Sequence, residues 1–235
     1  MVTIISILKS FRHRVNKERE ISGLKDYYTL VMSHYTDIIA ESSIELKSFE
    51  KHTSFTELVS NNPYIPKDIR QNIDEKMNQS FVFEIKYKSI SIMFTLVSSI
   101  GKNIDQRFLE TMLHSSILLH SLGLDTATIK NQSNIYVFLT SLNKKITKDS
   151  IVLGPTNINT GVTTRYSSEK KVNETIVFRE DEVLKTIIHE MIHNVGMDFN
   201  IDIPYRDILQ YFNINPKIEL VLNEAYTEVL AIILN

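Results

Sequence analysis

The sequence predicts an α+β protein, and three features of its hydrophobic pattern point to that class. Apolar residues follow a helical period up to about residue 78, whereas from Phe81 onward they alternate with polar residues, as in half-buried strands. Residues 135–139, IYVFL, form a short apolar run typical of a central strand. Residues 180–196 then return to a helical period. We therefore expect a helical N-terminal region, residues 1–78, followed by a unit of strands and helices, residues 79–235. The sequence leaves open whether the first region is a separate domain.

Composition limits the classes of function. The chain has 235 residues, of which 43% are hydrophobic and 23% charged, as in a soluble globular protein with a substantial core. A formal net charge of -2 argues against general binding to nucleic acid or to a membrane surface. The cysteine count is 0, which excludes disulfides, thiolate metal sites and a cysteine nucleophile. Neither a membrane-spanning apolar run nor a signal peptide is evident, so we expect a cytoplasmic protein.

The N-terminal region contains one clear amphipathic pattern. Its apolar residues recur at helical spacing and are Leu24, Tyr27, Tyr28, Val31, Met32, Tyr35, Ile38 and Ile39. This stripe is expected to join the core or, alternatively, to bind a protein partner. Residues 61–63, NNP, break the helical pattern, and residues 66–77 can form a further helix.

The second region alternates strands and helices. We expect strands at 81–87, 90–94 and 135–139, a helix at 104–122, a strand at 161–166, a strand at 174–178 and a short helix near 205–212. His114 and His120 lie six positions apart in the 104–122 helix and project in different directions. We expect both histidines to be structural or solvent-facing and not metal ligands.

The segment EDEVLKTIIHEMIHNVG, residues 180–196, carries the clearest chemical pattern. Residues four apart share one helix face, so His189 and His193 can present two imidazoles to one metal ion. Glu190 lies about 100° round the helix and can reach a metal-bound water without occupying a ligand position. Imidazole ligands with one position left for water suit catalytic zinc better than magnesium or calcium. The alternative is a pair of core histidines hydrogen-bonded to the backbone.

The ends and the apolar face of this helix support the metal-site interpretation. Asp181 is expected to cap or charge its start, and Gly196 is expected to end it in a left-handed conformation. Its broad apolar face comprises Leu184, Ile188, Met191, Ile192 and Val195. A helix with so much apolar surface is mostly buried, which leaves the two histidines facing an interior cleft.

A second candidate group of ligands lies in LNEAYTE, residues 222–228. Glu224 and Glu228 are four apart, so one helix face can offer two carboxylates to the histidines, or else form a solvated acidic surface. HEMIH followed by NEAYTE resembles the gluzincin metallopeptidases, thermolysin-like enzymes among them. The resemblance implies a zincin-like fold, with Glu224 as the third zinc ligand and Glu228 as the carboxylate that orients a ligand histidine.

Two further resemblances bear on the same segment. HEMIHNVGMDF is similar to the H-E-x-x-H-x-x-G-x-x-H pattern of metzincins, with Gly196 in place but Phe199 where the third histidine should stand. A phenylalanine cannot bind zinc. Asp198, one position away, is the second candidate for the third ligand, although it could instead cap a turn. FREDEVLKTIIHEMIHNVGMDF also resembles uncharacterised HExxH proteins of large DNA viruses, which implies no substrate but makes a viral origin conceivable.

We therefore expect zinc-dependent hydrolysis of a peptide bond in a peptide or protein substrate. Zinc held by His189, His193 and Glu224 would activate a water, and Glu190 would act as its general base. An edge strand, at 161–166 or 174–178, would pair with the extended substrate. Tyr166, Tyr205 and Tyr226 are candidates to stabilise the oxyanion, and the sequence does not distinguish among them.

A competing interpretation is a non-catalytic protein with the same fold. In that case the N-terminal helices would bind a protein partner. This interpretation predicts weak or absent zinc binding, or a cleft filled by the protein's own chain.

Overall fold

The computed structural model describes residues 29, 31–51, 53–60, 62–123, 132–144, 155–165, 172–198, 206–211, 213, 215 and 222–235. The chain divides into two compact units, Met1–Glu41 and Ser42–Asn235. In the first unit residues 31–41 are helical, as their apolar spacing predicts. The other predicted members of that stripe, Leu24, Tyr27 and Tyr28, lie outside the described residues.

The second unit is built on a six-stranded mixed sheet. Its strands are β1 (Ser43–Lys51), β2 (Gln79–Tyr87), β3 (Ile90–Ser98), β4 (Gln132–Phe138), β5 (Gly161–Thr164) and β6 (Asn173–Val177), in the spatial order β1-β2-β3-β4-β6-β5. Strands β1, β2 and β3 pair antiparallel, β3, β4 and β6 pair parallel, and β5 pairs antiparallel with β6. The strand β5 is therefore an edge of this sheet.

The helices of the second unit complete the α+β class that the sequence predicts. They are α1 (Thr56–Ser60), α2 (Lys67–Lys76), α3 (Gln106–Leu122), α4 (Pro155–Ile158), α5 (Val183–Asn194), α6 (Arg206–Tyr211) and α7 (Leu222–Leu234). The carboxylate of Asp105 accepts a hydrogen bond from the Phe108 backbone N–H at 2.9 Å and so caps α3. None of the described helices is both long enough and apolar enough to cross a membrane.

Both faces of the sheet carry helices. Helix α3 packs on β2 and β3, and α5 packs on β5, β6, α3 and α7. On the opposite face α1 and α2 contribute to an apolar cluster made of Val59, Ile65, Ile69, Ile73, Met77, Val97, Phe138, Ile176 and Phe178. Side chains alternate between the two faces of a strand. Because both faces are covered, nearly every residue at the end of β3 and along β6 is buried, and not only every second one.

The strand β1 corrects the expectation that residues 1–78 are helical throughout. Its register with β2 shifts between Leu46 and Ser48, as at a β-bulge. The bulge interrupts the two-residue period, with Ile44 and Leu46 before it and Phe49 after it. Pairing with β2 decides the strand conformation. It includes a contact between the Phe49 and Phe81 rings, whose centroids lie 4.7 Å apart. The predicted helix at 66–77 is confirmed as α2.

A buried arginine joins two loops near the β5 edge. The Arg179 side chain is only 1% exposed. Its Nε donates to the carbonyl oxygen of Asn159 at 3.1 Å, and its Nη1 donates to that of Leu142 at 2.5 Å. Burial lowers the pKa of Arg179, although Asp68 and Asp181 act in the opposite direction. Arg179 therefore satisfies the carbonyls of Leu142 and of Asn159, which lies just before β5.

Candidate metal centre

Helix α5 begins one residue later than an Asp181 cap would require. The N-terminal capping position is Glu182, whose φ of 61° is left-handed and whose side chain makes no capping hydrogen bond. A turn precedes it, in which the Val183 N–H donates to the Glu180 carbonyl at 3.2 Å. The expectation that Asp181 caps the helix is therefore wrong, because this turn moves Asp181 out of the capping position.

The other end of α5 confirms the sequence prediction. Gly196 has a φ of 68°, in the left-handed region that glycine adopts without strain. Its N–H donates to the His193 carbonyl at 3.1 Å, and the Met197 N–H donates to the Ile192 carbonyl at 3.0 Å. This pair of bonds is a Schellman motif. The reversal brings Asp198 back toward His193.

Three side-chain atoms from α5 and α7 converge on one point. The Nε2 atoms of His189 and His193 lie 3.1 Å apart. The Oε2 atom of Glu224 lies 3.4 Å from the first and 3.5 Å from the second. This His-His-Glu group could hold a metal ion. The structure thus brings together two histidines and a carboxylate that are separated by a long stretch of chain.

The outer nitrogen of each imidazole contacts a carboxylate. His189 Nδ1 lies 3.1 Å from Glu228 Oε2, and His193 Nδ1 lies 2.8 Å from Asp198 Oδ2. These contacts direct both Nε2 atoms toward Glu224. Asp198 is therefore in a position to orient His193 and not to replace Glu224 in the ligand group. Phe199, which occupies the third histidine position of the metzincin pattern, lies outside the described residues.

Each orienting carboxylate is paired with a cation that the sequence analysis did not identify. The Lys185 ammonium lies 2.8 Å from Glu228 Oε1. Arg165 forms an ion pair with Asp198 and donates to the backbone carbonyl of His193. Lys185 precedes the first histidine by four positions, so helical spacing could have placed it on the same face. Arg165 follows β5, and no sequence signal connects it to the distant α5.

The Glu190 side chain is buried against the edge strand. It is 8% exposed, and the Thr163 hydroxyl lies 2.9 Å from both its Oε2 atom and its backbone carbonyl oxygen. A methyl group added at Gly161 would lie 2.7 Å from Glu190 Cγ and 2.9 Å from its Oε1. Strand β5 can therefore approach this carboxylate only with a glycine at this position. The sequence alone does not indicate that Thr163 and Gly161 contact Glu190.

Electrostatic effects couple the groups of the site. Burial opposes the charged form of His193, yet the carboxylates of Glu224 and Asp198 together raise its pKa to about 9. The pKa of Glu224 is lowered, first by its hydrogen bond to His189 and then by that to His193. Burial raises the pKa of Glu190, although the neighbouring imidazoles act in the opposite direction. The site therefore holds one buried carboxyl with a raised pKa beside a strongly ionised one.

The site lies in a cleft of about 1050 Å³. Its lining includes the three candidate ligands, Glu190 and residues of β5. Of the two strands considered for pairing with a substrate, β5 is the edge strand and β6 is interior to the sheet. Three tyrosines were candidates to stabilise the oxyanion. Tyr226 does not line the cleft, and Tyr166 and Tyr205 lie outside the described part of the chain.

The histidines and glutamates that the sequence proposes for the site all lie in this one cleft. They are His189, Glu190, His193, Glu224 and Glu228. The arrangement offers two imidazole nitrogens, one carboxylate oxygen and a separate buried carboxyl group. No family model, curated protein or solved structure matches the chain.

Proposed function

We propose that this chain is a zinc-dependent peptidase with a zincin-like fold and a gluzincin-type site. The observation that carries the proposal is the convergence of His189, His193 and Glu224 within one cleft that also contains Glu190. A metal-ligand group alone is compatible with a structural ion. A buried carboxyl beside it, which takes no part in the ligand group, supports catalysis.

The distances among the three ligand atoms fit a tetrahedral zinc ion. Zinc bonds of about 2.0–2.1 Å in tetrahedral geometry separate neighbouring ligand atoms by about 3.3–3.4 Å. The separations here are 3.1, 3.4 and 3.5 Å. Two nitrogens and one oxygen are a donor set that suits zinc, whereas magnesium and calcium prefer oxygen alone. Three protein ligands leave one position for water or substrate.

The chain's own groups would divide the remaining work. A bound zinc ion would supply a Lewis acid and lower the pKa of a water molecule. Glu190 would accept the proton of that water and deliver it to the leaving amine. A raised pKa brings Glu190 closer to the range in which a carboxyl group can both take and release a proton near neutral pH. Glu228 and Asp198 would hold the two imidazoles in orientation.

The edge strand supports a peptide as the substrate. Strand β5 lines the cleft through Gly161, Val162 and Thr163, and one side of the strand has no partner in the described sheet. An extended peptide could add to this edge by backbone hydrogen bonds, with its scissile bond near Glu190. This mode of binding reads the backbone, so it is compatible with many side chains.

The proposal is tested by metal analysis and peptide cleavage on the same preparations. Wild-type protein purified without added zinc should contain about one zinc per chain and cleave a library of quenched fluorescent peptides. Glu190→Gln should retain zinc and lose turnover, whereas His193→Ala and Glu224→Ala should lose both. Full turnover by Glu190→Gln would exclude the proposed base. Zinc retained without cleavage of any peptide or unfolded protein would favour the non-catalytic alternative.

A further inference from the structure

A buried row of hydrogen bonds lies between α5 and the sheet, and the proposed reaction does not by itself require it. The row crosses α3, three strands and α5, and it ends at the Glu190 carboxylate. Its contacts are His120 Nδ1 to Ser133 Oγ at 3.3 Å, Ser133 Oγ to Asn194 Oδ1 at 3.2 Å, Asn194 Nδ2 to Thr175 Oγ1 at 2.9 Å, Thr175 Oγ1 to Thr163 Oγ1 at 3.3 Å and Thr163 Oγ1 to Glu190 Oε2 at 2.9 Å.

The direction of donation is fixed at the Glu190 end. A general base must be ionised before it takes a proton, and an ionised carboxylate only accepts hydrogen bonds. The Thr163 hydroxyl therefore donates its single proton to Glu190 and must accept from Thr175. The Asn194 amide nitrogen can only donate, so the Thr175 hydroxyl accepts a hydrogen bond from it. The Thr175 hydroxyl in turn donates a hydrogen bond to Thr163. The other acceptor beside Thr175 is the Met191 sulfur at 4.0 Å, which is a weak one.

The same direction continues to the far end of the row. With its nitrogen donating to Thr175, the Asn194 side chain presents its oxygen to Ser133, which donates to it. The single Ser133 proton is then used, so His120 Nδ1 carries a hydrogen and donates to Ser133. His120, Ser133, Thr175 and Asn194 are all buried, which excludes water as a competing partner for most of their polar atoms. Every donor in the row points toward Glu190.

We propose that Thr163 is a positioning residue that holds the Glu190 carboxylate in one orientation beside the metal site, and that Thr175 and the buried row behind it fix the Thr163 proton on that carboxylate. This inference rests on the proposed peptidase function. The Glu190 backbone carbonyl lies equally close to Thr163, at 2.9 Å, but it is also the acceptor for the helical N–H four residues later. The charged carboxylate is the stronger acceptor.

The edge strand restrains Glu190 at two points. Gly161 and Thr163 are two positions apart, so they face the same side of β5. Gly161 lies against the Glu190 side chain, where no Cβ could fit, and Thr163 donates to the Glu190 Oε2 atom. A glutamate has three side-chain torsions, and a displacement of about 1 Å at a catalytic group can lower a rate about 100-fold. The same strand would therefore bind the substrate backbone and position the base.

Two matched pairs of variants isolate the Thr163 hydroxyl. Thr163→Val keeps the side-chain shape of the wild type but removes the hydroxyl. Thr163→Ala and Thr163→Ser both lack the methyl group and differ only in the hydroxyl, so they remain informative if Thr163→Val folds poorly. We expect zinc content and KM near the wild-type values in all three, and kcat lowered about 10- to 100-fold in Thr163→Val and Thr163→Ala only. Thr175→Val should lower kcat by a smaller factor. The Thr163 hydroxyl remains, but without the hydrogen bond from Thr175 its orientation is less restricted, so it can donate either to the Glu190 carboxylate or to the Glu190 backbone carbonyl.

The outcomes separate this inference from the proposed function. A kcat within twofold of wild type in Thr163→Val, an equal loss in Thr163→Ser and Thr163→Ala, or a change in KM alone would overturn the positioning role. If the zinc-loaded wild type cleaves nothing, the peptidase proposal fails, and crystal structures of the zinc-loaded variants still decide the positioning claim. Glu190 should keep one side-chain orientation in wild type and Thr163→Ser and lose it in Thr163→Ala. An unchanged Glu190 orientation in Thr163→Ala would refute the positioning role of Thr163.

Discussion

Metal affinity should depend steeply on pH, because His193 must lose a proton before it can bind an ion. Its pKa is raised to about 9 by the carboxylates of Glu224 and Asp198, which outweigh the opposing effect of burial. A group with that pKa is neutral in about one molecule in a hundred at pH 7. The apparent association constant for zinc should therefore be about 100-fold lower at pH 7 than well above pH 9, rising about tenfold per unit in between.

The assay is competition for zinc against a chromophoric chelator at pH 7, 8 and 9, corrected for the chelator's own protonation. Asp198→Asn removes one of the two hydrogen-bonding carboxylates that raise the His193 pKa, so its affinity should change less between pH 7 and 9. Equal corrected affinities of the wild type at pH 7 and pH 9 would refute the reasoning. So would a slope in Asp198→Asn as steep as that of the wild type.

The same raised pKa predicts how the metal-free protein loses stability with pH. The folded pKa of His193 lies above its ordinary value of 6.5, so its contribution is complete below about pH 6.5 and is lost as the pH rises through about 9. The difference corresponds to at most about 3 kcal/mol of unfolding free energy, and we expect less because the Glu224 side chain is 57% exposed. Urea unfolding of the metal-free protein at pH 6 and pH 9 measures the loss. Zinc-loaded protein is the control, because its histidines are already neutral.

Three substitutions test other parts of the structure. Gly161→Ala places a methyl group 2.7 Å from Glu190 Cγ, so we expect kcat to fall at least about tenfold with zinc retained; unchanged kinetics would contradict the close approach. Asp198→Asn should weaken zinc binding about 10- to 100-fold at pH 9, where proton competition for His193 is much weaker than at pH 7, because His193 loses its orienting partner; chelator competition checks this. Arg179→Met removes the charged donor from two partly buried carbonyls and should lower the free energy of unfolding by about 2–4 kcal/mol in urea titrations; a loss below about 0.5 kcal/mol would contradict the assigned role.

The sequence predicts well those features that depend on short-range spacing. His189, His193 and Glu190 take their places from the helical period alone, and Gly196 ends the helix as glycine is expected to. The approach of Glu224 to the histidines could not come from spacing. It was expected only because NEAYTE resembles a known ligand helix, and the folded chain brings it within 3.5 Å.

The features that the sequence did not predict depend on contacts between distant segments. Thr163, Gly161 and Arg165 reach α5 only because β5 pairs antiparallel with β6 at the sheet edge, and that register is not encoded locally. The strand β1 lacks the regular two-residue period that predicts a strand, because its bulge shifts the alternation of apolar residues. For His120, expected to be structural or solvent-facing, burial confirms the structural alternative, but its partner Ser133 on β4 is set by tertiary packing that the sequence does not encode locally.

The three candidate ligand residues lie on two helices, with residues 194–223 of the chain between His193 and Glu224. An ion bound by both helices would act as a cross-link that closes this intervening stretch into a ring and ties the final helix to the body of the protein. Removal of the ion by a chelator would then loosen the C-terminal segment in addition to abolishing any activity. We expect the C-terminal segment of the metal-free form to exchange its amide hydrogens faster and to be cut sooner by proteases, so resistance to digestion would report occupancy of the site without any substrate.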